Sequence, residues 1–340
     1  MAHTRISAKY PPLIDVTRRP LAYGDRALPR LNRELNDETL LVRQRAVMSL
    51  CDYLHDPEHI AEALRVGIPS SLKNLLSDPD LTVRQKSTEC LYVIAGHAVG
   101  RDAFLEHNII EPVSQLFNDR EEIARKNAHL AIEMISETFP GAEGIVEANL
   151  VPILVKKLKT EVDELKEIIL DTMHFCLLVN TQYALDAGAM EIFTSLLTHR
   201  LPTIRAKAAG DIMHLSAPLD GKNKAVECNT VPALIDLLRD PSADVRANAA
   251  GAIMMITITT KGKYTAINAG AIEPLVSLVD DDKSEVRINA LKALTCLSEA
   301  PEGRKTLLNQ VELIQARTLD PIPAVCKAAK RAVEVITWKP

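Results

Sequence analysis

The string HDPEH places His55 and His59 four residues apart, a spacing at which two imidazoles on one helical face can hold a metal ion. Pro57 stands between them, so the stretch reads as the loop before a helix, and no further Cys or His cluster nearby in sequence completes a ligand set. The six cysteines (Cys51, Cys90, Cys176, Cys228, Cys296, Cys326) are widely spaced with no CxxC pair, which reads as reduced thiols. TKGKYT (260–265) has a Gly-Lys pair but lacks the glycine five residues before Gly262 that a phosphate-binding loop needs. GAEG (141–144) reads as a turn between helices, and Asp280, Asp281 and Asp282 as solvated loop acids. No nucleophile elbow and no Ser/His/Asp set can be assembled. The expectation is a non-enzymatic protein with no catalytic residue, cofactor, metal or small-molecule substrate.

Composition narrows the class. Hydrophobic residues make up 47% of the 340, but aromatics only 4%, with Trp338 the single tryptophan. The core must be built from Leu, Ile, Val, Ala and Met, which suits helices packed on helices. The net charge of −5 argues against nucleic acid as a partner. It is unevenly spread: the first thirty residues hold six Lys/Arg against Asp15 and Asp25, a net of +4, leaving −9 on the remainder. No apolar run approaches the roughly 18 residues that span a membrane, and MAHTRISAKY has no apolar signal-peptide core. An intracellular protein without membrane contact is the expectation.

The elements repeat. VRQRA, VRQKS, IRAKA, VRANA and VRINA set a register through Arg43, Arg84, Arg125, Lys166, Arg205, Arg246, Arg287 and Cys326, with gaps of 41, 41, 41, 39, 41, 41 and 39. A period near 40 belongs to helical solenoids. Gly67, Asn108, Asn149, Gly188, Asn229 and Gly270 recur in the same register; Gly and Asn tolerate the left-handed conformation that ends a helix, so they mark the end of a short first helix. Pro69, Pro112, Pro152, Pro232 and Pro274 follow, where the first turn of a second helix needs no N–H. A third helix of roughly thirteen residues starts near each VR string.

An Asp stands six residues before the Arg in five repeats: Asp37, Asp78, Asp119, Asp240 and Asp281 precede Arg43, Arg84, Arg125, Arg246 and Arg287. These ten residues read as structural. The Asp can accept helix N-terminal amides, and the Arg can pair with it or with the Asp of the next repeat. Thr160 and His199 replace the acid in repeats four and five, and repeat eight keeps Asp320 with Cys326 in place of Arg.

The pattern G-A-I-x-P-L-V-x-L, acidic loop, V-R-x-x-A-x-x-A-L, clearest in NAGAIEPLVSLVDDDKSEVRINALKALTCLSEAPEGR (268–304), resembles the armadillo repeat. The resemblance implies an all-α, right-handed α-solenoid of about eight three-helix repeats, with the third helices lining a concave groove. It divides the chain into a basic, Pro-containing arm (1–27) and a solenoid (28–340) whose last repeat is a degenerate cap. Nuclear-import adaptors of the family carry a Trp and an Asn on each third helix. Here the Trp positions hold Met48, Glu89, Leu130, Asp171, Gly210, Gly251 and Lys292, and the Asn positions Asp52, Val93, Met134, Phe175, His214, Met255 and Cys296, so capture of basic import peptides is not expected.

Leu130, Met134, Phe175, His214 and Met255 then form a mostly apolar groove run that either anchors a partner segment or packs between neighbouring third helices. In the arm, Leu13, Ile14, Arg18 and Arg19 suit ordering on a partner surface with acidic groups. SAKYPPLIDVTRRPLAYGDRALPRLNRELNDE (7–38) and ITTKGKYTAINAGAIEPLVSLVDD (258–281) resemble the armadillo-type proteins of the radial spoke in motile cilia. That implies a scaffold subunit of the axoneme, part of the cytoskeleton of cilium and flagellum, with other radial spoke proteins as partners. The alternative is a soluble, catenin-like adaptor that takes a peptide in the groove.

Overall fold

The computed structural model describes residues 27–339, so the arm residues Leu13, Ile14, Arg18 and Arg19 lie outside the described residues. Every regular element among the described residues is helical. They fall into two units, divided between Gly144 and Ile145. The first holds α1 (Ala27–Leu35), α2 (Leu40–Leu54), α3 (Pro57–Arg65), α4 (Ile68–Leu75), α5 (Leu81–Ala95), α6 (Ala98–Glu106), α7 (Ile110–Gln115) and α8 (Glu122–Ser136). The chain crosses the division within α9 (Phe139–Glu147). The second unit holds α10 (Val151–Lys157), α11 (Asp163–Val179), α12 (Gln182–Asp186), α13 (Ala189–Leu196), α14 (Pro202–Leu215), α15 (Leu219–Glu227), α16 (Thr230–Leu237) and α17 (Ala243–Ile256). It continues with α18 (Thr260–Asn268), α19 (Ile272–Ser277), α20 (Ser284–Leu297), α21 (Pro301–Leu308), α22 (Val311–Ala316) and α23 (Pro323–Thr337).

The order short, short, long recurs through the described chain. Among the described residues, Gly67, Asn108, Asn149, Gly188, Asn229 and Gly270 are those with left-handed backbone, at φ between 51° and 81°. Each ends a first helix so that the second can start at once, and Pro69 and Pro152 sit in the opening turn of α4 and α10. Within each unit the long third helices lie side by side: α2 on α5 and α5 on α8 in the first, then α11, α14, α17, α20 and α23 in sequence in the second. In α20 the buried residues Val286, Ala290, Leu291, Ala293, Leu294 and Leu297 are all aliphatic and suit close helix packing.

A second periodic glycine fixes the corner between one repeat and the next. A Cβ added at Gly100, Gly141, Gly221, Gly262 or Gly303 would stand 1.8–2.2 Å from the carbonyl oxygen of the residue six positions earlier. The first helix is therefore laid directly on the end of the preceding third helix, and only glycine fits there. Gln182 occupies this register position in one repeat, and there the first helix, α12, is only five residues long.

Three local expectations need correction. GAEG lies inside α9 rather than in a turn, because its Gly141 is one of these corner glycines. HDPEH is the helix start itself: Asp56 is the N-cap of α3, its side chain accepting from the Glu58 amide, with Pro57 opening the first turn. Asp281 is buried and paired, and the exposed Asp280 meets Arg317 at 2.8 Å, so these two acids are not simply solvated. The first helix among the described residues begins at Ala27, and the last repeat has all three helices, with Leu313, Leu319 and Ile322 exposed on it. No helix among the described residues is long and apolar enough to cross a membrane.

Candidate partner-binding groove

The third helices are locked in register by an Asp–Arg ladder. Arg43 Nε donates to Asp78 Oδ2 (2.8 Å), Arg84 to Asp119 (2.7 Å), Arg205 to Asp240 (2.8 Å) and Arg246 to Asp281 (2.8 Å), while Arg287 Nε lies 3.0 Å from Asp320 Oδ2. Each carboxylate thus belongs to the following repeat. The same guanidinium donates through Nη1 to the carbonyl oxygen six residues before it: Asp37, Asp78, His199, Asp240 and Asp281 supply that oxygen, and Asp119 supplies it to Arg125. The other carboxylate oxygen accepts the amide two residues on, as Asp119 does from Glu121 at 3.0 Å. Every Asp therefore closes its loop and receives the preceding repeat in one arrangement. Burial raises the pKa of Asp119, but the Arg84 hydrogen bond, the Glu121 amide and the nearby guanidinium charges outweigh it and hold the carboxyl below the usual range. Between repeats four and five the polarity inverts: Asp163 at the start of α11 takes His199 Nε2 (3.2 Å) and Arg200 from the next loop.

A second ladder, absent from the sequence reading, links successive third helices of the second unit. Asn248 Nδ2 donates to the Ala206 carbonyl and Asn289 Nδ2 to the Ala247 carbonyl, both at 2.9 Å. Lys207 does the same to Glu167 (3.3 Å) and also binds the Asp171 carboxylate. These residues stand two positions after the ladder base, and that fixed offset is the signal in the sequence. Gly210 and Gly251 make the approach possible: a Cβ would meet Asn248 Nδ2 at 3.3 Å and, at Gly251, Met213 Sδ at 2.7 Å and Asn289 Nδ2 at 3.2 Å. Those glycines occupy the Trp positions of the import adaptors, so inter-helix packing takes the space that a groove-lining Trp would fill.

Leu130 and Met134 lie on α8 in the first unit, and Phe175, His214 and Met255 on α11, α14 and α17 in the second. All five are half-buried. Phe175 meets His174 edge-on with centroids 5.1 Å apart, and His174 meets His214 at 4.6 Å. Burial lowers the pKa of both histidines; Asp171 opposes this at His174, and His174 adds to it at His214. They stand as neutral rings at neutral pH, presenting flat apolar faces with polar edges.

The sequence reading missed the far end of this face. There α17, α20 and α23 enclose a depression of about 510 Å³, floored by Met254, Ile288 and Cys296 and edged by Lys292, Lys327 and Arg331. Three cations around an apolar floor, in a chain of net charge −5, match an amphipathic segment carrying carboxylates. Lys292 and Cys296 hold the ladder positions on α20; Lys327 and Arg331 belong to the repeat read as degenerate, where the register carried no groove assignment.

Comparison with known proteins agrees with this fold. A family model described as HEAT repeats matches residues 190–295 and 231–313. An engineered protein solved by a structural genomics consortium is 23% identical, with a TM-score of 0.86 over 92% of this chain and 79% of its own. Computationally designed armadillo repeat proteins for modular peptide recognition are 25% identical, with a TM-score of 0.64 over 67% of this chain and 98% of their own. The chain is an all-α repeat solenoid of the armadillo/HEAT type, an architecture suited to protein–protein binding.

Proposed function

We propose that this protein is a non-enzymatic scaffold that docks partner segments on the open face of its third helices. The carrying observation is the depression edged by Lys292, Lys327 and Arg331 over Met254, Ile288 and Cys296. Such a face takes apolar anchors below and carboxylates at the rim. The designed peptide-recognition proteins of similar fold favour a peptide-like occupant.

The setting we propose is the radial spoke of the motile axoneme, with other radial spoke proteins as partners. It is supported by the resemblance of segments 7–38 and 258–281 to armadillo-type spoke proteins. In this reading the groove holds one partner and Leu13, Ile14, Arg18 and Arg19 of the arm reach another. Cross-linking mass spectrometry on isolated axonemes tests it: cross-links from Lys292 and Lys327 to spoke proteins are expected, and the protein should resist detergent and leave only in strong salt. Complete release by detergent favours a soluble catenin-like adaptor that uses the same groove.

A further inference from the structure

We propose that Cys51, His55 and Glu89 form a site for a borderline-soft divalent metal ion of the zinc class, joining the third helix of one repeat to that of the next. A Cys51 Sγ, a His55 ring nitrogen and a Glu89 carboxylate oxygen all lie within 4.8 Å of one another. The two histidines of HDPEH separate in the fold. His59 stands at the register position held elsewhere by the corner glycine; its Nδ1 lies 2.9 Å from the Tyr53 carbonyl oxygen and its ring stacks on Tyr53 at 3.5 Å. That carbonyl is the counterpart of the one each glycine approaches, so His59 serves the corner and is occupied.

His55 is exposed, at the C-cap of α2, one helical turn beyond Cys51, so the two share a face. Glu89 reaches them from the middle of α5, which no reading of local sequence brings near. Ligand atoms around zinc sit on the order of 3.5 Å apart, given metal–ligand bonds of roughly 2.0–2.3 Å. Rotation of the exposed His55 and half-buried Glu89 side chains closes the difference. Three protein ligands leave a fourth position for water, and the thiolate–imidazole pair selects a zinc-like ion over magnesium or calcium. Lys86 Nζ now supplies the positive charge, 2.8 Å from Glu89 Oε2, and the metal displaces it. Cys90, fully buried, turns its thiol toward the Val47 carbonyl (3.8 Å). Binding releases the Cys51 proton and ties α2 to α5.

The test is cobalt(II) titration of the purified, metal-free full chain. The expected result is one equivalent of tetrahedral cobalt with a near-ultraviolet thiolate-to-cobalt charge-transfer band, displaced by zinc, and a rise of a few degrees in melting temperature with zinc. Cys51→Ser should abolish the band and His55→Ala should weaken binding at least roughly tenfold. His59→Ala should bind as wild type, and Lys86→Met should bind more tightly. Because Cys51 is buried, the exposed His55→Ala variant decides the question if Cys51→Ser fails to fold. No charge-transfer band at one equivalent, or a band equally strong in His55→Ala, overturns the site.

Discussion

The charge on a single carboxyl has opposite consequences at two places in this protein. Asp119 is held below the usual carboxylate range, so its contribution to stability is present at neutral pH and lost as pH falls through the acid range. Asp211 is the reverse. Burial pushes its carboxyl well above that range, Asp171 adds to the rise, Lys207 opposes it, and Oδ2 has no hydrogen-bond partner among the described residues. Its contribution is present at low pH and lost as pH rises past the unfolded value near 3.9. Asp211→Asn should therefore raise the melting temperature at pH 7 by a few degrees and make little difference at pH 4, as differential scanning calorimetry at both values will show. Arg84→Ala strands Asp119, whose side chain is 5% exposed, and should cost about 2 kcal/mol by denaturant titration. Combined with Asp119→Ala the loss should be smaller than the sum of the two single losses.

Between elements, small residues set the spacing. Gly262 puts α18 against the end of α17; a methyl group there would stand 2.2 Å from the Ile256 oxygen. Gly262→Ala should cost about 3 kcal/mol, whereas Gly270→Ala, where nothing lies within 4 Å, carries only the strain of its left-handed backbone and should cost about 1 kcal/mol. Thermal unfolding of the two variants separates the mechanisms. The asparagine ladder follows the same logic: Asn248 reaches the Ala206 carbonyl only because Gly210 leaves room beside it.

At the scale of the molecule, the docking face proposed above is one that stability does not need. Lys292→Glu with Lys327→Glu should leave the melting temperature within a degree or so, since both cations sit at the rim of the depression, yet should weaken incorporation of the protein into axonemes. Deletion of residues 1–26, which spares Ala27 and the rest of α1, should weaken incorporation into axonemes without lowering the melting temperature; a fall of several degrees would make the arm part of the fold. Both are read on axonemes from cells expressing the variant alone.

Periodicity was enough to establish the three-helix repeat, because the left-handed caps at Gly67, Asn108 and their equivalents, the opening prolines and the Asp and Arg positions are all demands of local backbone geometry. The corner glycines and the Asn248 and Asn289 offsets were equally periodic, but their purpose appears only where two backbones meet. What sequence left open was each choice between partners separated by a whole repeat. Arg84 stands six residues from Asp78 and 35 from Asp119, so chain proximity favours the nearer carboxylate, yet the stacking of α5 on α8 delivers the distant one. The same stacking gathers Lys292, Lys327 and Arg331 around one depression and sets Glu89 beside Cys51 and His55, since packing of non-neighbouring segments decides which side chains share a space.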